Sequence, residues 1–212
     1  EVIYIEQCND YFLLKTPEQE IKTRYVVNAA GVFADKIPRM VGVDDFSITP
    51  RRGQYVLSGK DQGDLVNGVI FQTPSPKTKG VLVTTTYWGN MMLGPNAEEV
   101  AEKENIDTTI DGLKQIIDKA RRSIPDFDIS RALTTFSGIR ATSNTKDFIV
   151  EESEVEGFVN AAGIDSPGLT SSPAIAERVK GILADSGLQL KEDPEFDPYR
   201  PPIIIQRSEE EE

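Results

Sequence analysis

Short apolar runs punctuated by turn residues dominate the start of the chain. Val2-Ile3-Tyr4-Ile5 and Tyr11-Phe12-Leu13-Leu14 flank Asn9-Asp10, and Pro17-Glu18-Gln19-Glu20 separates the second run from a third, Ile21 to Asn28. That pattern predicts a β-meander feeding a buried strand. From Val32 to Met40 the spacing becomes helical, with Ala34, Ile37 and Val41 on one face. Pro38 is expected to kink or shorten that helix, because it lacks an N–H and clashes with the preceding turn. Gly42 is placed to end it.

Between Phe46 and Leu93 the pattern turns to antiparallel β. Ile48, Arg52 to Leu57, Val69 to Phe71, Val81 to Val83 and Met91 to Leu93 are strand candidates. Ser58-Gly59-Lys60, Pro74-Ser75-Pro76 and Trp88-Gly89-Asn90 supply turns between them. Asn105 to Ile124 is the clearest amphipathic helix. Ile110, Leu113, Ile116, Ile117 and Ala120 form its stripe, Asp107 or Thr108 is the expected cap, and Pro125 closes it. More β follows through Arg131 to Ile139, Phe148 to Val150 and Phe158 to Asn160, then a helix from Gly168 or Pro173 to Ala184, closed by Ser186-Gly187.

One pattern occurs twice. Tyr25-Val26-Val27-Asn28-Ala29-Ala30-Gly31 and Gly157-Phe158-Val159-Asn160-Ala161-Ala162-Gly163 are near copies, each an apolar strand that ends in very small residues before a helical segment. Small residues let a backbone approach a flat or phosphorylated ligand closely. A helix start adds free N–H groups and the positive end of its dipole. In open α/β sheets, ligands sit at the carboxyl ends of strands, where these turns lie. Spacing alone leaves a second reading open, two junctions that merely pack tightly.

Composition narrows the chemistry. The net charge is −12, which argues against nucleic acid as a partner. From Asp185 onward nine acidic residues stand against three basic ones, so this Pro-rich end carries half of that charge and reads as an extended linker. Cys8 is the only cysteine and there is no histidine, so no zinc ligand set, Ser-His-Asp triad or Cys-His pair can be assembled from this segment. The lone cysteine is consistent with a reducing cytoplasm. No apolar run reaches the roughly 18 residues of a transmembrane segment. The start, Glu1-Val2-Ile3, lies directly inside a strand-like run and suggests a fragment or excised domain.

The segment Val27-Asn28-Ala29-Ala30-Gly31-Val32-Phe33-Ala34-Asp35 resembles the strand-NAAGxxA segment of the D-amino acid oxidase-like superfamily of FAD-dependent oxidoreductases. Four further segments agree in order and approximate spacing: Pro50 to Tyr55, Gly89 to Pro95, Gly138-Ile139-Arg140, and Ala162 to Thr170. Within the superfamily the nearest likeness is to bacterial glycerol-3-phosphate dehydrogenase-like proteins, with L-2-hydroxyglutarate dehydrogenase a near relation.

The resemblance implies an α+β fold. Residues 1–45 would be part of an FAD-binding domain, 46–136 a mostly antiparallel substrate domain, 137–187 a return to the FAD-binding domain, and 188–212 a linker toward a further domain. Asn28, Ala29, Ala30 and Gly31 would lie near the adenosine and pyrophosphate half of FAD. Gly138 would join the cofactor site, and Gly163, Ile164, Pro167, Gly168, Leu169 and Thr170 would face the flavin ring. Arg140 matches a position that grips an anionic substrate group, and its planar fork suits an oxyanion. Ala141 follows where the family usually has Pro. Gln54 and Tyr55 are expected to line the substrate side, and of Arg51 and Arg52 one is expected to point to solvent, since strand neighbours alternate. Trp88 stands where relatives carry His.

The family's N-terminal GxGxxG and its partner acid are missing from this segment, so the resemblance implies half an FAD site and a partner domain that precedes it. No catalytic base is assigned. The expected activity of the parent is FAD-dependent oxidation of a small anionic hydroxy substrate, glycerol 3-phosphate first and L-2-hydroxyglutarate second. An amino-acid oxidase, or a module that is catalytically silent on its own, are the alternatives.

Overall fold

The computed structural model describes residues 1–74 and 80–199. The opening meander forms as β1 (Tyr4–Gln7), β2 (Phe12–Lys15) and β3 (Glu20–Thr23), and β4 (Val26–Asn28) follows. The middle contributes β5 (Ile48–Ser58), β6 (Val69–Ile70), β7 (Leu82–Thr85), β8 (Met91–Gly94), β9 (Glu98–Glu99) and helix α1 (Ile110–Ala120). The last third holds β10 (Ala132–Ser143), β11 (Ile149–Glu152), β12 (Phe158–Ala162) and α2 (Gly168–Asp185).

These strands build three sheets. β1-β2-β3 is an antiparallel meander whose Ile5 and Phe12 pack on Val26 and Phe158. The largest sheet runs β10-β5-β8-β7-β6, with β9 beside the other end of β5. The third runs β11-β12-β4, and its β12·β4 pair is parallel. The result is α+β, with antiparallel structure between the two halves of the small mixed sheet.

β5 shows why the large sheet has one covered face. Ile48, Pro50, Arg52, Gln54, Val56 and Ser58 are all buried, while Thr49, Arg51, Tyr55 and Leu57 are open or half-buried. That is the period-two alternation of a strand covered on one side. The cover is α1, whose Ile116 and Ala120 meet Val56, Val83, Met91 and Leu93 in the main core. The opposite face, carrying Tyr55 and Arg51, stays open.

The structure corrects several expectations. The third run breaks in two, because Thr23 and Arg24 end the meander and β4 starts a different sheet. No α-helix spans Val32 to Met40; Gly31–Phe33 and Pro38–Val41 are separate 3-10 turns. Pro38 opens the second of them, where its missing N–H costs nothing. Helix α1 is shorter than expected. Its cap is Thr109, whose hydroxyl accepts from the Gly112 N–H at 3.1 Å, and not Asp107 or Thr108. Ile110, expected on the buried stripe, is 86% exposed.

β5 and β10 are longer than expected and pair antiparallel from Ile48↔Ser143 to Ser58↔Ala132. The expected boundary between 136 and 137 therefore falls inside β10. Helix α2 starts at Gly168 and passes through Pro173. The carbonyl of Leu169, which Pro173 cannot serve, is met by the Ser172 hydroxyl at 2.8 Å. Part of the Pro74-Ser75-Pro76 turn and the end of the acidic tail from Arg200 lie outside the described residues.

Candidate functional site

The twin segments lie side by side. β4 and β12 pair in register, Phe158↔Val26, Val159↔Val27 and Asn160↔Asn28, so both Asn-Ala-Ala-Gly turns leave the same end of the same sheet. Asn28 and Asn160 are buried and share a hydrogen bond, Asn28 Nδ2 to Asn160 Oδ1 at 2.8 Å. The second Nδ2 hydrogen of Asn28 goes to the Ala34 carbonyl at 2.8 Å and folds the first turn back on its strand. Asn160 Nδ2 is buried without a partner among the described residues.

After β4 the chain opens to solvent at once; after β12 it does so only from Ser166. Ala29 and Gly31 are exposed and Ala30 is half-buried. Gly31 has φ +56 and open space where a side chain would start, a conformation that favours glycine. On the other side Gly163 is buried with φ +67, and a Cβ there would sit 2.9 Å from both the Asp147 carbonyl oxygen and Ser143 Cβ. Ile164 and Gly168 are half-buried, while Pro167, Leu169 and Thr170 are exposed, Leu169 at 90%. No side chain caps α2, so the N–H groups of its first turn, at Gly168, Leu169 and Thr170, carry the unmet donors of a helix start.

The open face of the large sheet brings a second group together. Register pairs Arg140 with Arg51, Gly138 with Gly53, and Phe136 with Tyr55. Tyr55 and Phe136 stack at 4.9 Å between centroids with their planes 8° apart, an aromatic shelf on that face. Gly138 leaves bare backbone beside it, with nothing within 4 Å of a built Cβ. The half-buried Arg140 guanidinium lies over Gly53, where a Cβ would collide with it. Among the described residues it has no ion pair or hydrogen bond.

The two other arginines are committed. Arg52 is buried under the sheet, donating to Asn105 Oδ1 at 2.7 Å and Glu98 Oε2 at 3.0 Å. Arg51 is on the open face, 3.6 Å from Glu99, so neither arginine stands free in solvent. Gln54 lies on the covered face and is fully buried. Its side chain accepts from the Thr109 N–H at 2.7 Å and donates to Thr109 Oγ1 and Glu98, which ties β5 to the start of α1. Trp88 is exposed at the tip of the β7–β8 hairpin, edge-on to Tyr87.

A cavity of about 900 Å³ lies between the large sheet and the turn before α2; neither Arg140 nor the Asn28–Gly31 turn lines it. Arg51 and Thr142 line it from the large sheet, Lys146 and Asp147 from the turn after β10, and Gly163 and Asp165 from the turn before α2. Lys146 had no signal in the sequence beyond its charge; Asp165 lies within the family-like segment Ala162 to Thr170, which assigns it no role. Thr142 had a signal: it stands two residues after Arg140 and so shares its face.

Residues 2–180 match the family model described as FAD dependent oxidoreductase. The chain is 45% identical over its whole length to glycerol 3-phosphate dehydrogenase of Caloramator mitchellensis, covering 45% of that protein. It is 34% identical to glycerol 3-phosphate oxidase of Mycoplasma genitalium, over 92% of this chain and 52% of that protein. Among solved structures it resembles dithionite-reduced L-alpha-glycerophosphate oxidase from Mycoplasma pneumoniae with FAD bound, at a TM-score of 0.83 and 33% identity, covering 92% of this chain and 52% of the other. Glycine oxidase from Bacillus cereus, at 19% identity and a TM-score of 0.72, shares the fold. The chain spans about half the length of the relatives it matches.

Proposed function

The chain belongs to the family of FAD-dependent oxidoreductases, and from that membership we propose that the protein containing it oxidises the hydroxyl-bearing carbon of a small anionic substrate, glycerol 3-phosphate before others. The cofactor is FAD, which when bound accepts the hydride removed from that carbon. The residues present fit it. Gly31 offers a positive-φ backbone with open space above it, and the uncapped start of α2 offers N–H donors suited to negative charge on the reduced ring. Asn28 to Gly31 would serve the nucleotide half, and Gly163, Ile164 and Pro167 to Thr170 the ring.

The observation that carries the substrate reading is Arg140, a half-buried cation without a partner among the described residues, beside a stacked aromatic shelf. A guanidinium there binds a phosphate or carboxylate through paired N–H donors. Tyr55 and Phe136 would exclude water on one side of the substrate, and Gly138 would let it approach the strand. Gln54 would act indirectly, holding β5 on α1. The relatives named for glycerol 3-phosphate favour a phosphate over a second carboxylate as the anionic group.

Turnover by the full-length protein with an artificial electron acceptor tests the choice of substrate. Glycerol 3-phosphate should be oxidised with a higher kcat/KM than L-2-hydroxyglutarate or glycine. A preference for either of the others would replace this reading.

A further inference from the structure

Helix α2 is lightly seated. None of its residues is fully buried; Ile175, Val179, Ile182 and Leu183 are half-buried, and a few polar ties supplement them. Arg178 Nε donates to the Val150 carbonyl at 2.7 Å in the middle, and the Tyr25 hydroxyl donates to the Ser186 carbonyl at 3.0 Å just past its end. At its start the tie is different, because it reaches into the other sheet. The Thr142 hydroxyl of β10 donates to Asp165 Oδ2 at 2.9 Å.

Two further contacts make this a fixed attachment. Gly163, at the head of the same turn, is wedged against Ser143, the last residue of β10, and the Asp147 carbonyl in the turn that follows it. The Asp165 N–H closes the turn on the Gly163 carbonyl at 3.0 Å. The turn is thus seated on β10 at its first residue by packing and at its third by a charge-assisted hydrogen bond, stronger than a neutral one. Arg51 and Lys146 line the same cavity, yet among the described residues Asp165 pairs with neither; Thr142 is its partner outside the turn.

We propose that Thr142 and Asp165 are a positioning pair that sets the start of α2 relative to the strand carrying Arg140. Thr142 and Arg140 are two residues apart on one face of β10, so the pair registers the donors of α2 against the anion-gripping arginine. The role assigned to the pair is positional, not catalytic. Their work is to keep two ligand-facing groups, on different sheets, at a fixed spacing. The ligand identities rest on the FAD and substrate reading above; the mechanical coupling does not.

The test uses the full-length protein with Thr142→Val, Thr142→Ser and Asp165→Asn. Amide hydrogen exchange of the peptide covering 163–170, measured without added substrate, reads the coupling itself. Thr142→Val should raise exchange there about tenfold and leave the β1–β3 meander unchanged, while Thr142→Ser, which keeps the hydroxyl, should match the wild type. Asp165→Asn keeps an acceptor but loses the charge and should fall between them. In the FAD-loaded protein, Thr142→Val should weaken FAD binding several-fold and lower kcat with little change in KM.

Unchanged exchange at 163–170 in both Thr142→Val and Asp165→Asn would overturn the proposal, as would a Thr142→Ser variant no better than Thr142→Val. Should Thr142→Val fail to fold, the comparison of Asp165→Asn with Thr142→Ser decides the same question. A wild-type protein that binds no FAD would instead end the cofactor reading, and the exchange result would still decide the coupling.

Discussion

Asn28 Nδ2 and Asn160 Oδ1 meet at 2.8 Å across the parallel pair of the small sheet, although 132 positions separate them in the chain. Asn28 spends its other Nδ2 hydrogen on the Ala34 carbonyl. One amide therefore joins the two turns and shapes the first of them.

Replacing Asn28 with alanine removes these bonds and a longer one from the Ala30 N–H at 3.4 Å, and leaves the Asn160 amide oxygen unmet as well as its nitrogen. Leaving such groups unpaired costs about 1–3 kcal/mol each, so Asn28→Ala should lose roughly 2–4 kcal/mol in chemical denaturation. Asn28→Asp should be damaging too, since its carboxylate would face the Ala34 carbonyl, a clash that turning the Asn160 amide does not relieve. A loss below about 0.5 kcal/mol would mean the amide pair is not what holds the turns together.

The repeat was legible as a repeat, but its pairing was not. Sequence alone placed a strand before each Asn-Ala-Ala-Gly; nothing in it said the two strands would be parallel neighbours, because that register depends on the chain between them. The alternation along β5 was legible too, and it separated Arg51 from Arg52. What failed were positions where a longer-range partner decides. Ile110 keeps helical spacing yet faces solvent, because α1 is turned so that Ile116 and Ala120 meet the sheet. The segment from Val32 to Met40 has the spacing of a helix, and Asp35 is instead drawn to Lys103 and to the Ile48 N–H at 3.1 Å.

Gln54 separates a structural role from a binding role. Its amide is occupied by Thr109 and Glu98, and a Cβ on Gly112 would collide with it. Gln54→Ala should cost about 2–4 kcal/mol by cavity and lost hydrogen bonds, and Thr109→Ala about 1 kcal/mol as a lost cap. Thermal melts and kinetics on the same samples distinguish the roles. Stability should drop in both variants while KM for the anionic substrate changes little; a large rise in KM for Gln54→Ala would place its amide in the substrate site.

Gly53 and Arg140 should behave as one unit. Arg140→Ala removes charge-assisted hydrogen bonds worth about 1.5–3 kcal/mol, which predicts a rise of roughly 10- to 150-fold in KM. Gly53→Ala leaves the arginine in place chemically but pushes its guanidinium aside, so a smaller rise of the same kind is expected. The double variant should be no worse than Arg140→Ala alone, the signature of residues acting through one interaction. Additive losses would show that Gly53 serves the site in some other way.

Asp128 predicts an acid-side effect. Its carboxylate accepts from the Ser130 N–H at 2.9 Å, and the Ser130 hydrogen bonds followed by the Arg131 charge hold its pKa below the ordinary 3.8. A carboxyl lowered in the folded state adds stability above its unfolded pKa, and that contribution disappears as pH falls through the lowered value. Asp128→Asn should therefore be less stable than the wild type at neutral pH, with the gap closing below pH 3.8. A gap that is constant across that range would rule out ionisation as its source.

If this chain is part of an FAD enzyme whose open sheet face receives glycerol 3-phosphate at Arg140, the flavin itself reports it. The most direct measurement is anaerobic titration of the purified full-length protein with glycerol 3-phosphate, followed by flavin absorbance. An oxidised flavin spectrum should bleach on addition of glycerol 3-phosphate, with the midpoint moved to much higher substrate concentration in Arg140→Ala. A flavin that stays oxidised at saturating glycerol 3-phosphate, or bleaching that is identical in Arg140→Ala, would contradict it.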